Sequence, residues 1–300
     1  MASNRSEMVR DHWRRMREAA VANPDETAAD VRERVDRYWP GLTAEPGGVD
    51  YLEVEVNGLP AMWAVPKGAA EDRVVFGVHG GGYVSGSIYT HRKLFAHLAK
   101  AVGARALLIE YREQPFPVPL EDVTAAYRWL LDQGIDAGHI AAVGDSIGGG
   151  LAVSLMLRAR ELGLPLPAAL MLMSPWVDLT VGNKTFESNR ENEAFFYKEV
   201  VAFLASAYLG GADPREPLAS PLYADLSGLP PTYVQVGGHE TLLGESLEFE
   251  QNARKAGVDA RLEVFPGQLH TFQMAAGYAP EADDAIRKYA EWVRPKIGLR

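Results

Sequence analysis

Ala141-Ala142-Val143-Gly144-Asp145-Ser146-Ile147-Gly148-Gly149-Gly150 is an apolar run that stops at a glycine, presents one serine and continues into Leu151-Ala152-Val153-Ser154-Leu155. The pattern predicts a strand, a sharp turn and a helix. Gly144-x-Ser146-x-Gly148 has the spacing of a nucleophile elbow, in which a strained turn lifts a serine hydroxyl above a sheet edge and flanking glycines avoid collisions. The following helix aims its amide-rich, partially positive end at the same point.

Other apolar runs place this elbow in a sheet. Val74 to Val78, Ala106 to Ile109 and Ile140 to Val143 are nearly all apolar and separated by stretches long enough for helices, the signature of parallel strands buried on both faces, and further strands read at Ala169 to Met173, Thr232 to Val236 and Arg261 to Phe265. Ahead of them Tyr51 to Val56 alternates with period two, and Asn57-Gly58 supplies a hairpin turn into Ala61 to Val65. The expected fold is α/β: a mostly parallel sheet of eight strands flanked by helices. Residues 1–45 are expected to form N-terminal cap helices and 46–300 the main domain, with a lid insertion at about 183–217, because the connection from Ser174 to Thr232 is too long for a plain crossover. Val9, Trp13, Met16 and Ala20 recur at helical spacing up to Asn23-Pro24, and Val31, Val35, Tyr38 and Trp39 repeat the pattern. These helices either pack on the core or roof a pocket.

Composition removes several functions. A net charge of −10 without a concentrated basic face argues against a nucleic-acid partner. The absence of cysteine excludes disulfides, thiolate metal sites and a cysteine nucleophile together. The first residues carry Arg5, Arg10, Arg14, Arg15 and Arg17 without the apolar centre of a signal peptide, their basic face is interrupted by Glu7, Asp11 and Glu18, and no run of apolar residues is long enough to span a bilayer. A cytoplasmic protein without stable membrane insertion is expected.

The chemistry then rests on oxygen and nitrogen groups. His79-Gly80-Gly81-Gly82 follows the first long apolar strand, and its glycines leave backbone N–H groups uncovered. Gly81, Gly82 and the amide of Ile147 are the expected donors to an oxyanion, while His79 braces the loop. Of seven histidines, His270 lies just beyond the last strand, on the carboxyl edge where open α/β sheets place their sites, and is the expected base for Ser146. His12, His91, His97 and His139 fall on presumed helix faces or a strand start and read as surface or core residues. The acid that orients the imidazole is expected to be Glu240, in Gly237-Gly238-His239-Glu240, with Asp178 as the competitor. A zinc helix is excluded because the second histidine of an HExxH pattern is replaced by Leu243. A dinucleotide fingerprint fails as well, since Ser85 stands where its third glycine belongs. No metal or organic cofactor is expected. Tyr83, beside the glycine loop, and Trp13, Phe195 and Phe196 of the cap and lid are the expected substrate contacts.

The order Ser146, Glu240, His270 is that of the α/β hydrolases. His79-Gly80-Gly81-Gly82-Tyr83, Gly144-Asp145-Ser146-Ile147-Gly148-Gly149, Ser174-Pro175-Trp176-Val177-Asp178-Leu179 and His270-x-Phe272 resemble the blocks of the hormone-sensitive-lipase-like esterases, the bacterial family IV carboxylesterases. The resemblance runs from about Val74 to the C-terminus. It implies a serine carboxylesterase with an N-terminal helical cap, acting on short to medium acyl chains and commonly dimeric through the sheet edge. Some similar proteins open lactones, so the expected partner is a small ester or lactone. A ligand receptor on the same fold would be expected to lack the base. Three positions depart from the family pattern. Ile147 stands where alanine is usual, and is expected to narrow the acyl site. Glu240 follows the position, here His239, where the family usually has aspartate. Tyr111 to Pro117 is about three residues short, which would displace a loop beside the glycines.

Overall fold

The computed structural model describes residues 7–23 and 25–300; Arg5 and Pro24 lie outside them. Two helices lead, α1 (Glu7–Ala22) and α2 (Ala28–Tyr38). The sheet strands are β1 (Val49–Val56), β2 (Leu59–Pro66), β3 (Ala70–Val78), β4 (Ala104–Ile109), β5 (Ile140–Asp145), β6 (Ala169–Met173), β7 (Thr232–Gly237) and β8 (Ala260–Phe265). Between and after them run α3 (Ile88–Val102), α4 (Val118–Asp132), α5 (Ile147–Glu161), α6 (Thr185–Ser188), α7 (Lys198–Leu209), α8 (Leu243–Lys255) and α9 (Pro280–Val293). Among the described residues, no helix is long and apolar enough to cross a membrane.

The described residues form one eight-stranded sheet in the order β1-β2-β4-β3-β5-β6-β7-β8. β2 pairs antiparallel with β1 and β4, and every other pairing is parallel. The strands expected from the apolar runs are all present, with the hairpin at the edge where its alternation leaves one face half exposed.

Side chains alternate across a strand, so a fully apolar strand needs a cover on each face. Phe76, Ala142, Leu170 and Leu172 join a core completed by α4, α5 and α8, through Tyr127, Leu151 and Phe249. Val75, Val143, Met171 and Met173 join the opposite core with α3 and α9, through Phe95, Leu98 and Tyr289. Val9, Trp13, Met16 and Val35 of α1 and α2 are buried in this second cluster. The N-terminal helices therefore do both things the sequence left open, packing on the core and facing a pocket described below.

At the elbow between β5 and α5 a Cβ on Gly144 would run into the carbonyl of Gly148, backbone against backbone, with no flexible atom to give way. We expect Gly144→Ala to lower stability by roughly 2 to 3 kcal/mol. Gly47→Ala, where the added methyl meets nothing within 4 Å, should stay within about 0.5 kcal/mol. Denaturant midpoints of the two variants check this.

Candidate active site

Every parallel strand from β3 to β8 except β4 ends in a loop that contributes to one place. Ser146 follows β5 and adopts φ 53 and ψ −125, a costly conformation for a residue with a side chain. The end of β6 and the loop after it hold it there: the Ser146 amide donates to Met173 O at 2.9 Å, and its carbonyl accepts from the Trp176 amide at 2.9 Å. The turn throws the hydroxyl above the sheet edge, toward the loop after β8.

There His270 Nε2 lies 2.8 Å from Ser146 Oγ, and His270 Nδ1 lies 2.7 Å from Glu240 Oε2. The three groups are buried, so little water competes for these bonds. The other Glu240 oxygen accepts from the Gly237 amide at 2.5 Å and from Ser174 Oγ at 2.8 Å. Ser174 Oγ in turn accepts from the Thr271 amide at 3.2 Å. Ser174 thus ties the carboxylate to the backbone that carries the histidine, a link that only the folded chain reveals. Asp178 does not reach the ring. Its carboxylate accepts from the Thr180 amide at 2.9 Å, Thr180 Oγ1 at 2.7 Å and Tyr223 OH at 3.1 Å.

The glycine loop lies on the other side of Ser146. Gly81 has φ 131 and its carbonyl accepts from Ser85 N and Oγ; a Cβ there would strike the Ser85 carbonyl. The amides of Gly81, Gly82 and Ile147, the last being the first residue of α5, have no hydrogen-bond acceptor among the described residues. Gly81, Gly82 and Ser146 line a single pocket. The loop is braced from below. Asp145 Oδ1 accepts from the Gly80 amide at 2.9 Å and Oδ2 lies 3.2 Å from His91 Nε2. Burial works to raise the Asp145 pKa, but His91 and the Gly80 amide outweigh it and hold the carboxyl below its ordinary range. His91, treated from sequence as surface or core, is a core residue with this bracing contact. It is carried by α3, and no spacing in the chain marks it.

His79 stacks on Tyr111 at 4.3 Å, its Nδ1 lies 2.8 Å from Gly80 O, and its carbonyl accepts from Tyr111 OH at 2.8 Å. Burial pushes the His79 pKa down, which keeps the ring neutral. The shortened Tyr111 to Pro117 segment therefore still reaches the glycine loop, through its first residue.

Above the site is a pocket of about 270 Å³ lined by Trp13, Phe195, Phe196 and residues of α2 and α7. Trp13 Nε1 donates to His270 O at 3.1 Å, and the Phe196 ring meets the His270 ring edge to face at 4.3 Å. The roof is fastened to the acid loop: Glu193 Oε1 accepts from the amides of Ala194 and Phe195, and its Oε2 accepts from the Thr241 amide. Thr241 Oγ1 also donates to Phe196 O at 2.7 Å.

Two expectations change. Tyr83 does not line the pocket: its ring stacks on Tyr208 at 3.4 Å and packs near Tyr111, beneath the loop. The Ile147 side chain does not narrow the acyl site either. It is fully buried in the core between the sheet and α5 and is not among the pocket walls, because as the first residue of α5 it faces the sheet.

The region 75–274 matches the family model described as the α/β hydrolase fold, and the chain belongs to that family. Its solved neighbours include an esterase of the bacterial hormone-sensitive lipase family, 43% identical, with a TM-score of 0.94 over 99% of this chain and 100% of the neighbour. Among curated relatives, an acetyl-hydrolase of Streptomyces hygroscopicus is 38% identical over 89% of this chain and 88% of its own length. An esterase of Acinetobacter venetianus is 36% identical over 75% of each chain. Within the family, the chain is placed among the hormone-sensitive-lipase-type esterases.

Because its side chain fills core space, Ile147→Ala should cost roughly 2 to 4 kcal/mol of stability. The ratio of activity on long against short acyl esters should stay as in the parent. Thermal midpoints together with an acyl-length series check both parts.

Proposed function

We propose that this protein is a serine carboxylesterase that hydrolyses short- to medium-chain esters through an acyl-enzyme on Ser146. The observation that carries the reading is the unbroken relay from Ser146 Oγ to His270 to Glu240, with contacts of 2.8 and 2.7 Å. As the ester carbonyl approaches, His270 Nε2 takes the Ser146 proton and Oγ bonds to the carbonyl carbon. Glu240 orients the ring and stabilises the imidazolium that forms. The carbonyl oxygen becomes an oxyanion facing the free amides of Gly81, Gly82 and Ile147, fixed donors that need no reorganisation, aided by the positive end of α5.

Collapse of this intermediate breaks the bond to the alcohol oxygen, which takes the proton from His270 and leaves. Water then enters, gives a proton to His270 and attacks the acyl carbon; the second intermediate expels Ser146 Oγ, which recovers its proton, and releases the acid. The aromatic roof over His270 keeps the relay dry, so the charges that develop are poorly screened. A pocket of about 270 Å³ suits a small acyl group rather than a long lipid chain, and the acetyl-hydrolase named among the relatives agrees with that size.

Ser146→Ala should lower turnover of a nitrophenyl ester by ~10³-fold or more while leaving the thermal midpoint near that of the parent. Glu240→Gln should cost ~10²-fold or more, because the ring loses its anionic partner, and Asp178→Asn only a few-fold. Steady-state kinetics of the three variants decides. A larger fall for Asp178→Asn would reassign the acid, and an active Ser146→Ala would sink the mechanism.

A further inference from the structure

The pocket over Ser146 is not apolar throughout. Val31 and Val35 of α2 face it, as expected for a cover over hydrocarbon, but Glu26 and Arg34 line the same space. Arg34 Nη1 contacts both carboxylate oxygens of Glu26, and the two side chains are only 10% and 14% exposed. A second nitrogen of the guanidinium, Arg34 Nε, is buried without a hydrogen-bond partner.

Buried polar groups are nearly always paired, and a cover meant only for an alkyl chain would be better served by another aliphatic residue. Arg34 is held in one orientation by Glu26, which also cancels its charge. An anionic group arriving here would meet the Glu26 carboxylate as well as the guanidinium and gain little. A neutral oxygen would meet a fixed, desolvated N–H with nothing else to bind.

We propose that Arg34 is a specificity determinant that reads a second, neutral oxygen of the substrate. The preferred esters then carry a carbonyl, ether or hydroxyl oxygen in the acyl or alcohol part, remote from the bond that is cut. The inference rests on the esterase reading above and narrows its substrate class. Glu26 is the positioning partner, holding the guanidinium through Nη1 while Nε is left unpaired.

The test uses matched pairs of esters of equal chain length, one plain and one with a keto group stepped along the chain. One series varies the acyl part of nitrophenyl esters, the other the alcohol part of acetates. The readout is the ratio of kcat/KM within each pair, taken on one protein sample so that any loss of folded enzyme cancels. At one or more keto positions the parent should favour the oxygen-bearing member by about tenfold, the worth of one good hydrogen bond. Arg34→Lys retains a cation for Glu26 but lacks the Nε donor, and should bring the ratio close to one, as should Arg34→Met. A ratio near one in the parent at every keto position overturns the proposal, and so does a tenfold ratio that survives both substitutions. If the parent hydrolyses neither member of any pair, the esterase reading itself has failed; brisk hydrolysis with flat ratios overturns this inference alone.

Discussion

Ser146 keeps φ 53 and ψ −125 because both of its peptide groups are held by neighbouring backbone, the amide by Met173 O and the carbonyl by the Trp176 amide. A strained turn persists only where its surroundings overdetermine it, and here the surroundings are the end of β6 and its following loop, with Gly144 and Gly148 two positions to either side of the serine. The strain has a chemical result. It presents the hydroxyl outward and leaves the next amide, at the start of α5, without an acceptor among the described residues. The serine hydroxyl and the free amide of Ile147 are thus set by a single backbone conformation, while the side chain of Ile147 is sent into the core.

The rest of the site is assembled by parallelism. Because β3, β5, β6, β7 and β8 run in the same direction, their carboxyl ends share one edge. The loops that follow meet there: glycines after β3, serine after β5, Ser174 after β6, Glu240 after β7 and His270 after β8. The contacts between these loops couple them further. Ser174 bonds to the Glu240 carboxylate and to the Thr271 amide, Asp145 to Gly80, and Glu193 to both the acid loop and the roof. Displacing one loop would disturb the others.

Much of the fold was legible because its signals are local. Runs such as Val74 to Val78 and Ala141 to Val143 are apolar at every position, which only a strand covered on both faces accommodates, and the structure covers them on both. The alternation of Tyr51 to Val56 with the Asn57-Gly58 turn marked an antiparallel hairpin, and the structure places its first strand, β1, at the edge of the sheet. Ser146 and Gly81 were legible for a related reason, since glycine spacing reports a backbone that has no room for side chains. What escaped were contacts between distant residues that no motif marks. His91 is an ordinary helix position until Asp145 is brought against it. Tyr83 reads as a pocket residue until Tyr208, more than a hundred positions later in the chain, stacks on it. Glu26, ahead of α2, and Arg34, on it, carry no motif that links them until burial joins them beside the pocket.

By itself, then, the sequence determined the strand and helix periods, the elbow, the glycine loop and the short set of groups able to carry the chemistry, because these depend on residue type and spacing along the chain. Tertiary structure decided which carboxylate meets the histidine, which way residue 147 points, that the N-terminal helices roof the pocket as well as fill the core, and that a buried arginine lines that pocket. The reason is that hydrogen bonding and burial act through space. Glu240 and Asp178 are alike in charge and in following a strand; only the path of the folded backbone puts one 2.7 Å from the imidazole and gives the other to Thr180 and Tyr223.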